Sequence, residues 1–176
     1  MGTLNVANLN LTGNTLTSSA NLNLTGSWTD APAGTIIKVS YGEGTSQVST
    51  TAQRTYTLIH SVSHTAVAPN SRYFLTGYTH AYNATAGSRA NLGFSVTIGG
   101  ATTRIEGVDG SSGDAWGTAA HPGAQLNRSA VYTSTATSGT VLTFNLLGAT
   151  WENSPTYFNY TGYSHQSALT IMEIVA

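Results

Sequence analysis

The hexapeptide Asn-Leu-Asn-Leu-Thr-Gly occurs twice near the start of the chain, at residues 8–13 and again at 21–26. In each copy Leu alternates with Asn or Thr. That is the period of a strand with one face to bury, and no helical period fits it. Gly13 and Gly26 end the copies, where a turn needs a permissive backbone. The stripe formed by Leu9, Leu11, Leu22 and Leu24 cannot bury itself, because an isolated two-stranded hairpin is marginal in water. It needs another surface. That surface is the rest of the chain, if the repeat forms two edge strands, or a neighbouring polypeptide, if it forms an arm. The composition changes after Trp28. The second reading is therefore preferred: residues 1–27 as an attachment and oligomerisation arm, and residues 28–176 as a separate β domain.

Charge narrows the function classes. Only 7% of the 176 residues are charged, and the net charge is −1. Average chains carry about 25%. Apolar content is ordinary, so disorder is not expected. Lys38, Arg54, Arg72, Arg89, Arg104 and Arg128 stand singly. They form no basic stripe, so a nucleic-acid partner is not expected. No apolar run is long enough for a membrane-spanning helix. No basic stretch followed by an apolar run opens the chain, so no secretory signal is expected, and synthesis in a bacterial cytoplasm suits the sequence. Cysteine is absent, which removes disulfides, zinc-thiolate sites and a Cys nucleophile.

Beyond the linker at 27–34, short runs rich in β-branched and aromatic residues predict strands over 35–41, 54–63, 72–82, 92–98, 101–108, 128–136, 140–147, 156–163 and 167–175. Gly42–Thr51 reads as a polar loop. Gly99-Gly100 predicts a tight hairpin turn. Residues 109–125 read as a long Gly-rich loop of the kind that makes contacts. No helix is predicted. The fold class is all-β: an antiparallel sandwich, most plausibly a jelly roll, with an extended N-terminal β arm.

A second echo links Tyr73–His80 with Tyr157–His165. Alternation puts Thr76, Tyr78 and His80 on one strand face, and Thr161, Tyr163 and His165 on another. The two segments are either equivalent members of paired sheets or neighbours in one sheet. Tyr78, Tyr82 and Tyr163 are suited to stacking on sugar rings, with His80 and His165 as hydrogen-bonding groups. A half-buried sheet face or a subunit contact is the stronger reading of the same residues. His60 and His64 are taken as ordinary residues of a strand and its following loop. No spacing supports a metal site, and Glu106, Asp109, Asp114 and His121 form no specific catalytic pattern. No catalytic residue and no cofactor are expected.

The Asn-Leu-Asn-Leu-Thr-Gly start, the Gly/Thr/Ser-rich β body and the ending Ser167-Ala168-Leu169-Thr170-Ile171-Met172-Glu173-Ile174-Val175-Ala176 resemble bacteriophage virion proteins, especially those of phages of cyanobacteria. Such proteins often close on a strand of the form Leu-Thr-Ile-Met-Glu. The resemblance implies a homotrimeric protein of the particle surface. It would be a head decoration (cement) protein that clamps neighbouring subunits of the major capsid protein, or a short fibre whose tip binds host cell-surface glycan. It implies no catalytic residues.

Overall fold

The computed structural model describes residues 31–84, 88–106, 115–116, 124–160 and 166–176. The two Leu-rich repeats, and with them Leu9, Leu11, Leu22 and Leu24, lie outside these residues, as do Tyr163 and His165. The described chain is all-β. Its strands are β1 (Ile36–Gly44), β2 (Val48–Thr50), β3 (Thr57–Thr65), β4 (Arg72–Asn83), β5 (Arg89–Ile98), β6 (Ala101–Glu106), β7 (Ala115–Trp116), β8 (Ala124–Thr133), β9 (Val141–Thr150), β10 (Thr156–Phe158) and β11 (Ser167–Ile174).

These strands fill eight rows in two antiparallel sheets. In the first sheet β1 and β2 share one edge row, β11 and β10 share the next, β4 follows, and β8 closes the far edge. In the second, β3 is one edge, then β9 and β5, with β6 and β7 sharing the other edge. Counted along the chain, the first row pairs with the last, the last with the third, and the third with the sixth. In the facing sheet the second pairs with the seventh, the seventh with the fourth, and the fourth with the fifth. That connectivity is an eight-stranded jelly roll.

The core follows from alternation. Tyr73, Leu75, Leu169 and Ile171 of the first sheet face Leu92, Phe94, Phe144 and Leu146 of the second, and all are fully buried. Glycines let the two sheets approach closely in the core. A Cβ on Gly148 would lie 2.5 Å from the Phe158 ring, and one on Gly77 would lie 2.8 Å from Leu146.

Gly99 and Gly100 both take positive φ, 56° and 85°, and join β5 to β6 as the tight turn expected of the Gly-Gly pair. The 42–51 region departs from expectation. Gly42–Gly44 continue β1 and Val48–Thr50 form β2, so most of that stretch is sheet edge, not loop. The glycines are there for contact: Cβ atoms at Gly42 and Gly44 would stand 2.8 and 3.0 Å from the His60 ring. Glycine in a strand commonly marks such a close approach. The 109–125 stretch contains two short pieces of sheet, Ala115–Trp116 and the start of β8. The echoing segments turn out to be neighbours in one sheet, since β10 pairs antiparallel with the end of β4 and Tyr157 lies opposite Tyr82.

Candidate functional site

The outer face of the first sheet concentrates the side chains that point to function. Its strands must bury one face against the second sheet, so every other residue turns outward. On β4 these are Arg72, Phe74, Thr76, Tyr78, His80 and Tyr82, each less buried than its inward neighbours. Register then aligns residues of four strands into cross-strand rows. Val39 of β1 lies opposite Met172 of β11, Met172 opposite Phe74 of β4, and Phe74 opposite Val131 of β8. The result is an apolar band across the whole sheet. Val39 is 55% exposed and Val131 49%. At one side of the band Ile36 pairs with Ile174, and at the other lie Tyr41, Thr170, Thr76 and Ser129. Among the described residues of this face only Arg72 and Glu43 are formally charged, and the Tyr41 hydroxyl donates to Glu43.

Tyr78 and His80 therefore share the outward face, as alternation predicts. Tyr78 sits between Ala168 and Asn127, and His80 lies opposite Gln125. Next to them is a group of tyrosines: Tyr82 stacks on Tyr160 with ring centroids 4.8 Å apart, and Tyr157 closes the group at 6.0 and 5.8 Å. Tyr157 and Tyr160 are three residues apart and would face opposite ways in a continuous strand. Asn159 brings them together by taking φ of 53°, a left-handed conformation that Asn tolerates better than most residues. Its buried amide fixes the bend. The Thr79 hydroxyl donates to Oδ1, and Nδ2 donates to the Ser46 carbonyl and to Ser167 Oγ. Phe74, Met172, Val39 and Val131 were missed as site residues from sequence. Phe74 was within reach, because it shares the period that groups Thr76, Tyr78 and His80.

A buried polar cluster was also missed. His64 lies inside β3, not in a following loop, and is fully buried with Glu173. The Glu173 carboxylate accepts from His64 Nε2 at 2.8 Å, from the backbone N–H groups of Val67 and Ala68, and from Ser71 Oγ. Ser40 Oγ lies 2.9 Å from His64 Nδ1. Neutral His64 satisfies all of this when Nε2–H donates to Glu173 and Nδ1 accepts from Ser40. Burial pushes the His64 pKa down, and this outweighs the pull of Glu173 in the opposite direction. Burial pushes the Glu173 carboxyl up, but hydrogen bonds from Ala68, His64, Val67 and Ser71 outweigh it and hold it below its usual range. A Ser–His–Glu order resembles a hydrolase relay, but His64 and Glu173 are fully buried. Glu173 is consumed by donors of the β3–β4 connection, and Ser40 faces inward from the middle of β1. The cluster latches both sheets and that connection together.

Among the described residues no group of three or more His, Cys, Asp or Glu is placed to hold a metal, and no helix is long and apolar enough to cross a membrane.

No family model and no curated protein matches the chain. Solved structures similar to it include the VP2 subviral particle of infectious bursal disease virus, at a TM-score of 0.43 and 14% identity, covering 79% of this chain and 38% of that one. The T13 particle of the same virus is similar at 0.40 and 12%, covering 80% and 36%. The chain thus spans well under half the length of these viral proteins. The CBM22-1 xylan-binding domain of Paenibacillus barcinonensis Xyn10C is similar at 0.36 and 16%, covering 83% of this chain and 99% of that one. Likeness at this level says nothing of what this chain binds or builds.

Proposed function

We propose that this chain is a non-enzymatic structural protein of a virus particle that associates with copies of itself. In the finer reading it is a homotrimeric decoration protein of a bacteriophage head, clamping neighbouring subunits of the major capsid protein at the particle surface. The observation that carries self-association is the band Val39–Met172–Phe74–Val131, which crosses four strands of the outer face with Val39 and Val131 exposed at its ends and Met172 and Phe74 half-buried between them. Contiguous exposed apolar surface of this kind marks interaction sites. The low charge of the chain agrees with burial of much of its surface. The likeness of its two ends to phage virion proteins supplies the particle and the three-fold state. Light scattering on the full chain tests the reading: it predicts three times the chain mass and co-sedimentation with empty phage shells. A monomer that stays in the supernatant contradicts it.

A second reading rests on the tyrosine group of Tyr82, Tyr157 and Tyr160 beside Tyr78 and His80. Aromatic rings grouped at the end of a sheet suit stacking on sugars, as in a fibre tip that binds host glycan. Glycan-array binding lost in Tyr82→Ala and retained in Phe74→Ala would favour this reading. An array that stays blank for the native chain would remove it.

A further inference from the structure

We infer that the apolar band is the seat of the Leu-rich segment 8–26 of a neighbouring copy, an inference that rests on the self-association just proposed. Position is the first argument. The described chain starts beside the band: Gly34 N–H donates to the Val175 carbonyl, Val175 N–H donates to the Thr35 carbonyl, and Ile36 pairs with Ile174. The thirty preceding residues thus leave from the corner where the band's own sheet begins. Extended, they reach about 100 Å, ample for the corresponding face of an adjacent copy.

Chemistry is the second argument. Residues 1–29 contain no Asp, Glu, Lys or Arg. Among the described residues the charges of the face they would cover are Arg72, in the cross-strand row next to the band, and Glu43, two rows beyond it on the edge strand β1. Neither partner therefore has to desolvate a charge at the centre of the contact. Leu9 and Leu11, and again Leu22 and Leu24, repeat along one strand face at about 7 Å. Neighbouring strands of the band repeat at about 4.8 Å, so the four outward side chains span roughly 14 Å. A single Leu pair covers about half of that span, and the second copy of the hexapeptide supplies another pair. Passing each segment to the next copy is a head-to-tail contact, which closes into a ring at three-fold symmetry.

The absence of cysteine from the chain makes a direct test available. Leu24→Cys is prepared with a tag and mixed, under mild oxidation, with untagged Val131→Cys. Val141→Cys replaces the latter as control: it is 54% exposed against 49% for Val131, but belongs to the other sheet. A tagged–untagged disulfide with Val131→Cys, at least tenfold more abundant than with Val141→Cys, is expected. Equal yields from the two partners would overturn the inference. So would a disulfide seen only when both cysteines share one chain. Native mass measured alongside separates the two proposals: a trimer with no preference for Val131→Cys sinks the seat and leaves self-association standing, whereas a monomer sinks both.

Discussion

The two outer faces of the sandwich are built from the same strand geometry and end up chemically opposite. On the second sheet the outward residues satisfy one another. Ser61 Oγ donates to Asn145 Oδ1, Asn145 Nδ2 donates to Ser95 Oγ, and Thr97 shares a hydrogen bond with Thr102. That ladder crosses β3, β9, β5 and β6. Its exposed apolar residues, Leu58 and Val141, stand at opposite ends of the β3–β9 pair. On the first sheet the apolar cross-strand row is Val39, Met172, Phe74 and Val131, which have only methyl groups, a thioether and a ring to offer. Hydroxyl and amide side chains can complete their hydrogen bonds within one face. Apolar side chains are stabilised only by being covered. The first face is thus the one that leaves apolar side chains to be covered, as the proposed self-association requires.

The largest expected effect removes the comparison altogether. Glu173→Ala strips the shared acceptor from His64, Ser71, Val67 and Ala68. Breaking a buried pair on one side costs about 3–5 kcal/mol, so chemical denaturation should show a loss of that order, and both faces should melt together. The same latch sets the pH dependence. Both pKa values are depressed in the folded chain, so the folded state holds fewer protons than the unfolded one as pH falls. Stability should be fully present above about pH 6.5, the ordinary His value. It should drop as His64 of the unfolded chain takes up protons, and drop further through the carboxylate range as Glu173 follows. A denaturation midpoint that rises on acidification between pH 7 and 4 would contradict this assignment.

Next in size is Phe74→Glu combined with Val131→Glu, which places two charges in the band. A weakening of self-association by at least about 100-fold, near 3 kcal/mol, is expected from sedimentation equilibrium, with the monomer still folded by circular dichroism. On the other face Asn145→Ala breaks the ladder at its centre. It leaves Ser61 and Ser95 without their partner, at a cost of about 1–3 kcal/mol, and should leave the association constant alone. The smallest effect is expected from Thr143→Glu, an outward position of β9. Thermal stability should move by less than about 0.5 kcal/mol, with no change in mass.

Much of the fold was legible in the sequence, and the reasons are specific. The period-two pattern of residues 72–82 placed Tyr78 and His80 on one face. The Gly-Gly pair located the β5–β6 hairpin. Gly42 and Gly44 were misread because glycine marks a turn by default, and the ring of His60 that demands them lies on another strand. Pairing between distant segments was not legible either. Val39, Met172, Phe74 and Val131 form a band only because the first and last rows of the chain lie side by side against the third. The latch was hidden for the same reason: Glu173 looks like a lone acid in an apolar strand, and the donors it meets lie more than a hundred residues earlier. Tyr160 joins Tyr82 and Tyr157 only through the left-handed turn at Asn159, which the letters Phe-Asn-Tyr do not announce.

Radical footprinting of the full chain in solution tests the difference between the faces most directly. Val39, Tyr41 and Val131 are 55%, 56% and 49% exposed, and Leu58 and Val141 on the second sheet are 51% and 54% exposed. If the first face is the covered one, Leu58 and Val141 will label at rates that fit their exposure, while Val39, Tyr41 and Val131 will be several-fold protected. Equal labelling of the two sets, after correction for side-chain reactivity, would contradict the account.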